Sequence, residues 1–187
     1  MKLAVIGHSF AIDNEGWPSM LGVEQENNFA QKGVSEAKLY MQYLGMKNMN
    51  WDKIIVCHSN PCALYTPHHP VHYKKKERAH TDWIYGDIEY HRHRNEEMQF
   101  VFDYLSKYSD PKYEYMVFEL FLDKLLEIPN AIHFTMREDL DKMISTKWIE
   151  KIENNFNKIW VMNQGKINHM DMEGNKQVAK QLEHLIQ

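Results

Sequence analysis

Long apolar runs are missing from this chain. Nothing in it approaches the roughly 20 residues that a membrane-spanning helix needs, so no membrane partner is expected. In the opening segment, MKLAVIGHSF, one Lys precedes only four consecutive apolar residues, Leu3 to Ile6. That is too few for the apolar region of a secretion signal, and it reads instead as a buried strand of a cytoplasmic protein. Cysteine is scarce as well. The 2 cysteines, Cys57 and Cys62, exclude a disulfide-built scaffold and suit free thiols in a reducing compartment, although their spacing also allows a local bridge. Positive charge is in no surplus: 22 Lys and Arg stand against 26 Asp and Glu, a net −4, which argues against general nucleic-acid binding. The basic run Lys74-Lys75-Lys76 with Arg78 is short and lies among histidines, as a solvated loop does. Internal repeats and low-complexity segments are absent.

What the chain does have is the material for a core. Hydrophobic residues make up 43%, and 8 Phe, 5 Trp, 10 Tyr and 12 Met supply bulky, adaptable packing. A length of 187 residues fits a single domain over 1–187. Lys2 to Ile6, ending at Gly7, has the pattern of the first buried strand of a parallel sheet. Gly16-Trp17-Pro18-Ser19 leads into Met20-Leu21 as a short helical start with Pro in its first turn. Asn28-Phe29-Ala30 suits a short second strand, stopped at Gly33. Ser35 is positioned to N-cap a helix through Leu44, with Ala37, Leu39, Tyr40, Met41, Tyr43 and Leu44 as its apolar positions and Gly45 as its terminator.

Lys53 to Cys57 is the clearest central strand, because β-branched residues dominate it. From about 60 to 94 the pattern breaks. Pro61, Pro67, Pro70 and a concentration of His and Tyr mark a long excursion over the top of the sheet. Helices are then predicted over about 95–108, from Pro111 to about Glu127, over 139–156 and over about 172–186. Strands are predicted at Ala131 to Phe134 and Lys158 to Met162. Strands alternating with helices place the chain in the α/β class, as a doubly wound, mostly parallel five-stranded sheet flanked by helices.

In such sheets ligands bind at the carboxyl ends of the strands. Gly7-His8-Ser9 follows the first strand, His58-Ser59-Asn60-Pro61 the third, and Asn168-His169 the fifth. A hydroxyl, an amide and an imidazole meeting there would be the nucleophile, oxyanion donor and general base of acyl transfer. Taken singly, each has a plainer meaning. A Ser after a strand is often a turn residue or N-cap, a loop His is solvated or hydrogen-bonded, and Asn-Pro is an ordinary turn pair. Their joint order is what points to chemistry.

That order resembles the motif blocks of the SGNH (GDSL-like) hydrolases across essentially the whole chain. Gly7-His8-Ser9-Phe10, continued by Gly16-Trp17-Pro18, is similar to the nucleophile block. Asn28-Phe29-Ala30-Gln31-Lys32-Gly33-Val34-Ser35 looks like the second block and His58-Ser59-Asn60 like the third. His169-Met170-Asp171-Met172-Glu173-Gly174-Asn175, with Val178-Ala179, is similar to the terminal block. The resemblance implies a flavodoxin-like architecture and a serine esterase or deacetylase acting without cofactor on a small ester or acylated sugar. Ser9 would attack, His169 would act as base and then acid, and the backbone N–H groups of Ser9 and Gly33 with the Asn60 amide would hold the oxyanion. Two positions depart from the family. His8 stands in place of the Asp of Gly-Asp-Ser, and Lys166 stands three residues before His169, where the family has its triad Asp. Three alternatives stay open: a backbone carbonyl orients His169, Asp171 or Asp13 substitutes for the acid, or the site binds without turnover.

The excursion supports a separate reading. Cys57, His58, Cys62, His68, His69, His72, His80, His91 and His93 are ligand types that zinc accepts, but their spacings match no standard zinc pattern. A lid or substrate-binding loop carrying Trp83, tyrosines and histidines fits a long loop over a site better. Nothing in the sequence names an oligomeric interface.

Overall fold

Three apolar segments pair side by side in the computed structural model, which describes residues 1–12, 16–59, 63–67, 69, 80–84, 88–89, 92–94, 96–136 and 169–187. The strands are β1 (Leu3–Gly7), β2 (Lys53–Cys57), β3 (Ala63–Leu64), β4 (Trp83–Ile84) and β5 (Ala131–Phe134). A parallel three-stranded sheet runs in the order β1-β2-β5, with Val5 opposite Ile55 and Ile55 opposite Ile132. The expected strand at Asn28 is reduced to an isolated parallel bridge with Val5. Its neighbours still bond as a strand would: Phe29 N–H donates to the Val5 carbonyl at 2.8 Å and Gln31 N–H to the Gly7 carbonyl at 3.0 Å. Residues 28–31 therefore border β1 on the edge away from β2. Chain order reverses at β1, and in open α/β sheets such a reversal opens a crevice at the carboxyl ends.

The helices are α1 (Trp17–Met20), α2 (Glu36–Met46), α3 (Glu96–Tyr108), α4 (Pro111–Leu126) and α5 (Met172–Ile186). Successive strand residues face opposite sides, and both sides are covered, which makes this a mixed α/β fold. Leu3, Val5, Ile55, Cys57, Ile132 and Phe134 pack with Trp17 of α1 and with Val178, Ala179, Leu182 and Ile186 of α5. Ala4, Ile6, Ile54 and Val56 pack on the other face with Leu39 and Met46 of α2 and Leu125 of α4. Lys158 to Met162 and 139–156, where a strand and a helix were expected, lie outside the described residues. Among the described residues no helix is long and apolar enough to cross a membrane.

The inner face of α2 differs from its apolar pattern. Leu39 and Met46 are buried, but Met41 and Leu44 are exposed, while Glu36, Lys38 and Gln42 are buried. Gly45 does not end the helix, which runs on to Met46, and Ser35 sits at the N-cap position without a side-chain cap bond. Periodicity registers hydrophobicity alone, so it cannot see polar groups buried for their partners. The excursion likewise contains structure that was not expected: β3 and β4 pair antiparallel, Ala63 with Ile84 and Leu64 with Trp83. Asp82, beside β4, fastens this hairpin to α2. Its carboxylate lies 2.7 Å from Lys38 Nζ and accepts from the N–H groups of Ser35 and Thr66, each at 2.7 Å. A buried ion pair persists when such extra hydrogen bonds satisfy its remaining atoms.

Gly7 is where β1, β2 and the turn after β1 come closest. A Cβ there would lie 2.8 Å from Cys57 Cβ, 3.1 Å from the Cys57 carbonyl oxygen and 3.3 Å from Ala11 Cβ. Gly7→Ala is expected to lower stability by about 1–3 kcal/mol, the usual penalty of overpacking, and urea unfolding of the two proteins measures it.

Candidate functional site

The carboxyl end of β1 is held from α2. Gln42 accepts from Gly7 N–H at 2.9 Å and donates to the Gly7 carbonyl at 3.1 Å. The chain then turns through His8, extended at φ −105°, into a single 3-10 turn over Ser9–Ala11, closed by Ala11 N–H donating to the His8 carbonyl at 3.0 Å. Ser9 is thus the first residue of a tight turn leaving a buried strand, and it is half-buried.

Trp17 joins this turn to the other end of the chain. Its fully buried indole donates through Nε1 to the Phe10 carbonyl at 2.8 Å, and its backbone N–H donates to Asn175 Oδ1 at 3.0 Å. Asn175 in turn donates through Nδ2 to the Asp171 carbonyl at 2.9 Å, and the indole meets Phe134 edge-on at 5.3 Å. The segment entering α5 is thereby drawn onto the segment leaving β1. The His169 ring rests against Phe10 with centroids 5.2 Å apart, and Phe10 meets the His8 ring at 5.1 Å. Two candidate residues from opposite ends of the sequence, Ser9 and His169, therefore belong to adjoining loops.

The other candidates divide. Gly33 has φ +56°, a conformation that favours glycine, and a Cβ on it would come within 3.3 Å of Thr81. Its carbonyl accepts from Asp82 N–H at 2.6 Å. Asp171 is the N-cap of α5, its Oδ1 accepting from Gly174 N–H at 2.9 Å, a bond that suits the positive end of the helix dipole. Asn60, Asp13 and Lys166 lie outside the described residues.

A buried polar chain that no sequence motif marks fills the α2 side of the same edge. Glu36, His58 and His133 are all buried. Glu36 Oε2 lies 3.3 Å from His58 Nδ1, and His58 Nε2 lies 3.0 Å from His133 Nδ1, with the two rings stacked. Glu36 Oε1 also accepts from Ser59 N–H at 2.7 Å, and the Ser59 hydroxyl donates to the Val34 carbonyl. An acidic residue in the first turn of a helix reads as ordinary dipole compensation, which concealed Glu36. His133 left one signal, a polar side chain inside the apolar strand Ala-Ile-His-Phe.

These surroundings hold several groups in their neutral forms. Burial, then the neighbouring His169 charge, pushes the His8 pKa down to about 3, against the raising effect of a hydrogen bond to the His58 backbone. Burial first and His58 second hold His133 well below the ordinary histidine range. The Cys57 thiol is pushed up by burial and then by Glu36, so it stays protonated. Cys57 packs in the α1–α5 core, while His58 turns to Glu36 on the opposite face, so the two do not converge as metal ligands. Among the described residues no group of three or more His, Cys, Asp or Glu side chains is arranged to hold a metal ion. Cys62, His68, His72 and His91 lie outside the described residues.

Fold and site together define an α/β protein with a serine, several imidazoles and a buried carboxylate at the carboxyl edge of a parallel sheet. Compared with protein families, with curated proteins and with solved structures, the chain matches none.

The depressed histidines carry a pH dependence. The unfolded chain takes up a proton on each near pH 6.5, the ordinary histidine value, whereas folded His8 resists protonation down to about 3. The unfolded state then binds more protons, so stability falls as pH drops from about 6.5 towards about 3. Urea midpoints measured across that window should decline, and His8→Asn should flatten the decline.

Proposed function

We propose that this chain is a serine ester hydrolase of the SGNH type, cleaving a small ester or acylated sugar in the cytoplasm through Ser9 and His169. The observation that carries this reading is the packing of the His169 ring on Phe10, the residue after Ser9.

Acylation begins as His169 takes the Ser9 hydroxyl proton while Oγ bonds to the substrate carbonyl carbon. The resulting oxyanion is met by the backbone N–H groups of Ser9 and Gly33 and by the Asn60 amide. Collapse breaks the bond to the leaving group, which departs with the proton from His169. A water then repeats the sequence, its proton going to His169 and its oxygen to the acyl carbon, and Ser9 is released with the free acid. No cofactor enters any step.

A second reading, ligand binding without turnover on the same fold, draws support from Asp171, whose carboxylate is taken up by the Gly174 N–H. One experiment separates the two. A fluorophosphonate probe followed by intact mass should give a single adduct on the wild type that is lost in both Ser9→Ala and His169→Ala. A folded wild type that takes no adduct would overturn the hydrolase reading in favour of binding. Where turnover is found, Asn60→Ala should lower it about 10²–10³-fold, the typical cost of one oxyanion donor.

A further inference from the structure

The terminal block supplies no acid three residues before His169, where Lys166 stands, yet a carboxylate is buried at this edge of the sheet. Glu36 is only 2% exposed. Sequestering an ionised carboxylate is unfavourable unless partners compensate it, and helix-dipole compensation would be served equally well by an exposed side chain. Glu36 is instead aimed at an imidazole and at the loop beyond β2. Its Oε2 is 3.3 Å from His58 Nδ1 and its Oε1 accepts from Ser59 N–H at 2.7 Å.

From His58 two connections lead on. Its Nε2 meets His133 Nδ1 at 3.0 Å. Its backbone shares a hydrogen bond with the His8 ring, and His8 lies within electrostatic reach of His169. His8 directly precedes Ser9 and packs on Phe10, which also carries the His169 ring. A contiguous path therefore joins the carboxylate to both reacting residues.

We infer that Glu36 is the acid of this site, a positioning residue that orients His58 and, through the His58 backbone, holds His8 against the His169 loop. The inference rests on the Ser9–His169 reading of the site. A carboxylate on Nδ1 keeps the His58 proton there, so Nε2 presents its lone pair and accepts from His133 Nδ1–H. Each polar hydrogen in the chain then has one direction. The negative charge also favours the imidazolium that forms on His169 when it takes the Ser9 proton. The groups facing Glu36 are His58 and Ser59, just beyond β2, with His133 of β5 against the far side of His58 and the Cys57 thiol of β2 within its electrostatic reach. On its own helix Lys38 is turned to Asp82. His8 faces His169, and Asp171 caps the adjoining helix.

The test is the pH dependence of fluorophosphonate labelling at Ser9 in wild type, Glu36→Gln and Glu36→Asp. Glutamine keeps an acceptor for Ser59 N–H but removes the charge. Glu36→Gln should label about tenfold more slowly, with its acid limb moved to lower pH by on the order of one unit, as the loss of a nearby opposite charge requires. Glu36→Asp should recover part of both. A Glu36→Gln protein that merely melts earlier, with the limb unmoved, would show a structural carboxylate and overturn the inference.

If Glu36→Gln does not fold, imidazole nitrogen shifts of the wild type decide. His58 protonated at Nδ1 with Nε2 accepting supports the inference, and the opposite tautomer overturns it. A wild type that never labels removes the Ser9–His169 premise itself. Labelling with an unmoved limb removes only the role of Glu36.

Discussion

The two hydrogen bonds of Trp17 hold the candidate site together. One fastens the turn that carries Ser9, through the Phe10 carbonyl, and the other fastens α5, through Asn175. An indole has one N–H, and burying it without a partner is costly. Here that requirement, added to the backbone N–H of the same residue, clamps together two segments from opposite ends of the chain. Asn175 passes the constraint on to the Asp171 carbonyl, which sets where α5 begins and where His169 sits ahead of it. Phe134 at the end of β5 closes the arrangement from the sheet side.

The second constraint comes from α2, which buries Glu36, Lys38 and Gln42. Each answers a polar need at the carboxyl edge of the sheet. Gln42 satisfies both backbone groups of Gly7, Lys38 meets Asp82 of the excursion, and Glu36 meets His58 and Ser59. A helix that only needed to cover the sheet would be more stable with apolar residues there, because buried ions repay their desolvation incompletely. Polar groups buried at the carboxyl ends of parallel strands are the pattern of a site, where consistent local rules give way to function.

The Asp82 anchor gives the β3–β4 pair a defined relation to this edge. Asp82 N–H donates to the Gly33 carbonyl, Asp82 accepts from Ser35 N–H, and Lys38 Nζ also donates to the Thr66 and His80 carbonyls. The second motif block and the hairpin are thereby one unit. This accounts physically for the left-handed Gly33: its carbonyl must point to Asp82 while Thr81 occupies the space a side chain would need.

Much of the fold was legible in the chain. The strands at Lys53–Cys57 and Ala131–Phe134 stand where β-branched and apolar runs place them. The helices beginning at Glu96, Pro111 and Met172 start within a residue of where the helical pattern places them. These features depend on neighbours within a few residues, and such short-range rules can be read from sequence. The motif order pointed to Ser9 and His169, because the carboxyl ends of parallel strands converge whatever their separation along the chain. What only the tertiary structure decided was which polar side chains leave water. No neighbouring residue separates Glu36 from a dipole-compensating first-turn acid, marks what His133 meets inside its strand, or shows what Trp17 bonds. Their roles come from partners tens of residues away, and burial makes those partners obligatory, since an unpaired polar group costs far more away from solvent than at the surface.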